Sequence, residues 1–335
     1  MALHWTDIIF LAQKSCPRLL STDPGPFAWA RILLETDQLN SKNPTRTAGP
    51  SVRPEPKLSS QNLDPSTVAG FGQEWFQFTQ KELTDKARDQ IFADYFRIFP
   101  WHRLPAGSVG ADIGCGSGRW ARVVANRVGC LHLVDASSQA LEVARENLKT
   151  VTNVRFHHAS VDILPFEDNS LDFAYSLGVL HHVPDTAEAI REVARKLKTG
   201  APLLLYLYYR FDNCGLFYRS LWKVSDLGRR LISRLPFSLR YAASQFLALL
   251  VYLPLARTAL VLAFLRILPS GWPLAYYRDK PWYVMRTDAL DRFGTKLEQR
   301  YSRREIETMM SRAGLENIQF SDSQPYWCGV GFKQG

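Results

Sequence analysis

The 335-residue chain predicts an α/β fold, a doubly wound and mostly parallel sheet with a helical insertion after its fifth strand. Three observations carry that prediction. Gly110-Ala111-Asp112-Ile113-Gly114-Cys115-Gly116-Ser117-Gly118-Arg119 reads as the end of a buried strand, a glycine turn and the start of a helix. Downstream, apolar runs alternate with segments of helical period, and the joins between them are short. Ala201-Pro202-Leu203-Leu204-Leu205-Tyr206-Leu207-Tyr208-Tyr209 is a near-continuous apolar run, as suits a strand covered on both faces.

The glycine turn comes first because a strand–turn–helix corner at the carboxyl edge of a parallel sheet favours a nucleotide-like ligand. Glycines 114, 116 and 118 let the chain turn tightly and admit a ligand against bare backbone. The dinucleotide fingerprint needs a glycine at its sixth position, which here is Arg119. A phosphate-binding P-loop is excluded, since no Gly-Lys-Ser/Thr follows. What remains is Gly-x-Gly-x-Gly with Asp112 two residues ahead of Gly114.

Leu131-His132-Leu133-Val134-Asp135 is an apolar run ending in an acid, 23 residues after Asp112. An acid at the tip of a second strand can accept both hydroxyls of a ribose. Val154–Ser160 reads as a third strand, followed by Val161-Asp162-Ile163-Leu164-Pro165-Phe166. Ser170-Leu171-Asp172-Phe173-Ala174-Tyr175-Ser176-Leu177-Gly178-Val179-Leu180-His181-His182 brings in the fourth. Together, over roughly residues 107–210, these motifs resemble the ubiquinone/menaquinone-biosynthesis (type 11) family of class I S-adenosylmethionine-dependent methyltransferases, with its "LPF…S-x-D-x-x…LHH" pattern. Asp288 to Phe293 and Arg300-Tyr301-Ser302-Arg303-Arg304-Glu305 resemble that family's tail, "D-x-F…R-Y-S-x-x-E".

The resemblance implies a seven-stranded, Rossmann-like sheet whose last two strands form a hairpin, with S-adenosylmethionine as cofactor and no metal. Gly114, Cys115, Gly116 and Gly118 would then form the turn around the methionine end of the cofactor. Asp112 would orient the turn or the ligand amine, and Asp135 would hold the ribose. The family's acid–small pair after strand three falls on Ser160 and Val161, a departure for which Asp162 is the candidate replacement. Ser176 and Leu177 would meet the cofactor from strand four. His181 and His182 are candidates for a general base, against the alternative that they only shape their loop. Tyr206, Tyr208 and Arg210 end strand five at the edge where substrates of open sheets bind. Trp75, with Phe71, is a candidate lid, against the alternative of aromatics anchoring a helix.

Residues 1–67 read as a poorly ordered amino-terminal segment and linker, because 36–67 is rich in Pro, Ser, Asn and Thr. A short helix is expected around Phe27–Glu35, and another from about Lys81 to Ile98. The cofactor-binding core is expected over 68–210, an insertion over 211–285, and the closing helix and strand hairpin over 286–335. Five scattered cysteines lack paired metal-ligand spacing and suggest reduced thiols. The apolar patch at residues 8–12 is too short for a signal sequence, so a cytoplasmic protein is expected.

The whole net charge of +9 resides between Arg210 and Arg300, where 15 Lys and Arg face 6 acids. Phe217, Leu221, Val224, Gly228, Leu231 and Leu235 recur at helical spacing, with Arg219, Lys223, Arg230 and Arg234 on another face. Phe246–Leu265 is a long apolar run interrupted by Pro254 and Arg257, so a hairpin rather than a spanning helix is expected. Insertion 211–285 thus reads either as a cap over an apolar substrate or as a peripheral membrane contact. The leading functional expectation is methyl transfer to a small or lipid-like acceptor. The alternatives are a non-catalytic module that binds the same cofactor and docks on membranes, or an RNA methyltransferase. The long aliphatic run disfavours a nucleic-acid partner, and the oligomeric state is left open.

Overall fold

Strand β1 (Val109–Ile113) pairs in parallel with β2 (Cys130–Asp135) on one side and β4 (Phe173–Leu177) on the other. The computed structural model describes residues 61–335 except 213, 214 and 270, and leaves out the side chains of 216–218. The expectations for residues 8–12 and 27–35, and those touching Cys16, Cys214 and the Phe217 side chain, fall outside the described residues.

With β3 (Val154–His158), β5 (Pro202–Tyr206), β6 (Leu315–Phe320) and β7 (Cys328–Lys333), the seven-stranded sheet has the order β3-β2-β1-β4-β5-β7-β6. Strand β7 runs antiparallel to both β5 and β6, which closes the sheet with a hairpin. The chain builds β1 to β3 outward, then returns to place β4 against the other side of β1. That reversal opens a crevice at the carboxyl ends of β1 and β4.

The helices begin where capping side chains stand. Ser137 accepts from the Ala140 amide to start α4 (Ser138–Asn147), and Asp185 from that of Glu188 to start α5 (Thr186–Lys196). Ser302 and Glu305 form a reciprocal capping box on α10 (Arg303–Arg312). Thr84 caps α2 (Asp85–Tyr95), which is therefore shorter than the helix expected over 81–98. The helix after the glycine turn is shorter still: α3 (Ala121–Val124) tightens at once into a 3₁₀ turn.

Ordered structure also begins before residue 68, against the expectation of a linker to 67. Asp64 caps α1 (Pro65–Gln77), and the Asn62 amide exchanges hydrogen bonds of 2.8 and 2.7 Å with the backbone of Asp185. Polar side chains, not apolar ones, tie this entry segment down, and composition does not register such ties.

In the insertion, α6 (Leu216–Ile232) is followed by α7 (Phe237–Leu247), a π-turn at Ala248–Tyr252, and α8 (Leu253–Phe264). The last three form one continuous helix of 28 residues, long and apolar enough to cross a membrane. Pro254 does not break it into a hairpin. The proline sits in the first turn of α8, and the Leu253 amide reaches back five residues to the Ala248 carbonyl. One flank of this helix packs on α9 (Trp282–Gly294), where Ala248, Tyr252 and Ala256 meet Met285, Ala289 and Phe293.

The expected amphipathic helix is present in α6, but its orientation reverses the usual one. Arg229 and Ser233 are buried, while Leu221, Val224, Leu227 and Leu231 face outward.

Candidate functional site

A cavity of about 310 Å³ opens at the carboxyl edge of β1, β4 and β5. Its floor is the glycine turn, its flank is α1, and its roof combines residues 272–277 with α9.

The turn is built from backbone. Gly114, Gly116 and Gly118 have φ of 78°, 53° and 72°, a region that favours glycine. A Cβ on Gly114 would fall 2.4 Å from Val179, and one on Gly116 would fall 2.7 Å from the Trp75 ring. Trp75 therefore lies directly against bare main chain. Gly118 faces the other way. A Cβ there would lie 2.8 Å from Leu148, so this residue supplies close helix packing one position earlier than the dinucleotide fingerprint does.

Asp135, at the tip of β2, accepts 2.8 Å hydrogen bonds from the amides of Gly116 and Ser137, one on each carboxylate oxygen. Burial raises its pKa, and those two amides oppose the rise. Each oxygen keeps a further lone pair directed at other partners.

Of the residues expected at the cofactor, Gly114, Cys115, Asp135, Ser160, Val161 and Leu177 line the cavity. Five expected cofactor residues do not. Gly116 is covered by Trp75 and Gly118 by α4. Asp112 lies buried under the turn, where it accepts a 2.9 Å hydrogen bond from Tyr175 Oη. Burial pushes its carboxyl up to about 8, so it is a neutral prop rather than a charged contact. Ser176 donates to the Ile113 carbonyl at 2.8 Å and joins β4 to β1.

Asp162 also departs from its expected role. Its carboxylate accepts from the amides of Gln61 and Asn62 and from the Ser160 hydroxyl, and it is not part of the cavity wall. The acid that looked like a substitute cofactor contact instead fastens the chain leading into α1.

The half of the cavity away from the glycine turn is more charged than the sequence suggests. Of the residues expected at the substrate, Tyr206 and Tyr208 line it, but Arg210 is exposed and pairs with Glu305 at 3.0 Å. Arg300 lines the wall, as do Arg119 and Arg292; the Arg300 guanidinium lies over Tyr208 and ion-pairs with Glu298 at 2.7 Å. Glu74, Asp288 and Asp291 face the same space. Tyr277 donates to Asp288 at 2.9 Å, and Tyr208 donates to Asp291. Burial raises all three carboxyls: Asp288 to about 6, and Glu74 well above the usual range with Asp291 and Asp288 adding to the rise.

The two histidines separate. His182 lines the cavity 4.9 Å, ring to ring, from Phe71, and its Nδ1 lies 2.7 Å from the Leu297 carbonyl. That bond fixes Nδ1 as the protonated nitrogen, so Nε2 carries the lone pair. Nε2 is buried and makes no hydrogen bond, and burial lowers the ring pKa. His181 stacks on Tyr208 at 3.9 Å behind the wall and is not part of the cavity lining.

Sequence reasoning missed Glu74, Arg119, Asp288, Asp291 and Arg300 as site residues. One signal was available: Asp288 and Asp291, three residues apart in the tail motif, share one face of a helix. Among the described residues, no group of three or more metal-type ligands converges.

A family profile described as "Methyltransferase domain" matches residues 111–205. The chain is 36% identical over 105 residues to phosphoethanolamine N-methyltransferase 2 of Caenorhabditis elegans, covering 30% of this chain and 24% of that protein. It is 36% identical over 104 residues to demethylmenaquinone methyltransferase of Staphylococcus haemolyticus, covering 30% of this chain and 44% of that one. It thus spans under half the length of these curated relatives. A solved Haemonchus contortus phosphoethanolamine N-methyltransferase 2, with phosphomonomethylethanolamine and S-adenosylhomocysteine, aligns over 77% of this chain and 44% of its own at 18% identity and a TM-score of 0.44. The matched segment runs from β1 through β5 and contains the glycine turn, Asp135 and the LHH loop. Over residues 111–205, the chain is similar to the methyltransferase-domain family.

Proposed function

We propose that this protein transfers a methyl group from S-adenosylmethionine to a small or lipid-like acceptor held beneath the roof formed by 272–277 and α9. The observation that carries the reading is the bare-glycine turn beside a buried acid with unused lone pairs. These residues fit the cofactor: Gly114 and Cys115 offer backbone against its methionine end, Asp135 can accept its ribose hydroxyls, and Ser160, Val161 and Leu177 offer wall for its base. S-adenosylmethionine supplies, when bound, a methyl already activated on a sulfonium for in-line displacement. The protein's task is then alignment, an effect that reaches roughly 7–11 kcal/mol in well-oriented systems.

His182 is the group suited to take a proton from the acceptor. Its buried Nε2 has no competing partner, and its lowered pKa keeps the ring neutral near pH 7. Asp291 beside it would steady the positive charge as the proton arrives. Three carboxyls and the tyrosines favour an acceptor carrying hydrogen-bond donors or an amine. Arg119 and Arg300 favour an anionic end on the same molecule. The names of the two curated relatives agree with a small or lipid-like acceptor.

The test is incubation of the full chain with methyl-labelled S-adenosylmethionine and an extract of metabolites and lipids. Label is expected in an extractable product, and calorimetry should show binding that Asp135→Ala weakens about 100-fold, near 2.7 kcal/mol. Binding without any labelled product would favour the non-catalytic module. No binding at all would end the proposal.

A further inference from the structure

We propose that α6 and the continuous α7–α8 helix seat this protein on the surface of an anionic lipid bilayer, lying in the interface without crossing it. The first observation is one of location. Among the described residues, every large apolar side chain recorded as exposed, except Phe76 and Ile163, lies between Leu221 and Ile267. Soluble surfaces scatter such residues singly, so a concentration of this kind marks a contact.

The second observation is which side chains pack inward. Along the 28-residue helix the buried positions are Arg240, Ser244, Ala248, Tyr252, Ala256 and Ala259. The outward positions include Phe246, 63% exposed, Val261, 56%, and Phe264, 85%. A helix surrounded by water does the opposite, burying its large apolar side chains and exposing its small and polar ones. Small residues at the helix–helix contact and large ones outside are the arrangement of a helix facing acyl chains, where exposure of leucine costs nothing. Helix α6 repeats the pattern: it packs through Arg229, which binds Asp226 and the Thr295 carbonyl, and turns Leu221, Val224 and Leu231 outward.

Charge selects the occupant. Lys223, Arg230 and Arg234 are exposed beside the apolar stripe of α6, while Arg257 and Arg266 are exposed on and just beyond α8. They belong to the segment that holds the chain's entire positive excess. Long basic side chains flanking an apolar stripe suit lipid phosphates at the headgroup level. A second copy of this chain would bring like charge against like. The helix cannot be encircled by lipid, because α9 and the 275–277 turn hold one flank from Arg240, bonded to Gly294, as far as α8. Lying flat is the geometry left to it. The other face of α9 carries Asp288 and Asp291 into the cavity, so the bilayer and the reaction site would be one helix apart.

Co-sedimentation of the full chain with phosphatidylcholine vesicles, with and without 30 mol% phosphatidylglycerol, tests this, beside ultracentrifugation without lipid. The expected result is binding to the anionic vesicles, reduced at least tenfold by Phe246→Glu with Val261→Glu and shifted toward zwitterionic behaviour by Lys223→Glu with Arg234→Glu. Cofactor calorimetry on each variant separates loss of docking from loss of fold, and vesicle binding does not depend on turnover. Equal failure to bind either vesicle overturns the proposal. So does a lipid-free dimer that the Phe246/Val261 variant dissociates, which would assign the face to a second copy.

Discussion

In β4 the side chains of Phe173, Ala174, Tyr175 and Leu177 are all buried, and polar groups survive there only with partners, as Ser176 does on the Ile113 carbonyl. In α8, about 18 Å of helix, again mostly apolar, leaves Leu260, Val261 and Phe264 outside and buries Ala256 and Ala259. Both regions are rich in apolar residues and differ in which of them they turn inward. The sheet is organised against water, so large apolar groups go inward. The insertion is organised as if its outer medium were apolar, so packing there relies on small side chains and on buried arginines bonded to carbonyls.

The cavity lies where the two regions meet, and each contributes part of the chemistry. The sheet edge supplies the glycine turn, Asp135 and His182; the segment around the insertion supplies Tyr276, Tyr277, Asp288 and Asp291. This division can be tested by matched substitutions. The largest effect is expected at the junction, where His182→Gln should lower kcat by roughly 10²–10⁴ while cofactor affinity is kept. Because burial depresses the ring pKa, the acid limb of the wild-type rate profile should fall below about 6.5, and the variant should lose that limb.

Next is the sheet interior. Leu204 is fully buried, and Leu204→Ala should cost about 2–5 kcal/mol in denaturant unfolding. A smaller effect per pH unit is expected from Asp112, whose carboxyl burial pushes up to about 8 in the folded state from an ordinary 3.8. The folded state then holds a proton that the unfolded chain has released. Wild-type stability should fall by about 1.4 kcal/mol per pH unit between those values, and Asp112→Asn should remove that slope. The smallest effect is expected in the insertion: Val261→Ser, at a 56% exposed position, should change stability in water by no more than about 0.5 kcal/mol. A loss of several kcal/mol there would mean that another part of the chain covers this face, and the contrast between the two regions would fail.

Much of the sheet is legible because its signals are local. A glycine at positive φ, an acid closing an apolar run and a capping serine act over a few residues, and their spacing survives in one dimension. Gly114, Cys115, Asp135, Ser160, Val161 and Leu177, expected at the cofactor, and Tyr206 and Tyr208, expected at the substrate, line one cavity in the structure. Asp162 and Arg210 could not be placed correctly, because the partners that occupy them, Asn62 and Glu305, lie about a hundred residues away in the chain.

The amino-acid sequence alone determined the doubly wound sheet, the glycine turn and the excess of apolar and basic residues in the insertion, since each follows from periodicity, short-range sterics or composition. Only the tertiary structure decided which histidine meets the cavity, which acids surround it and which way the insertion helices face. Those outcomes depend on long-range packing. An amphipathic pattern shows that a helix has two faces, but it takes the neighbours, protein on one side and solvent or lipid on the other, to decide which face is the inside.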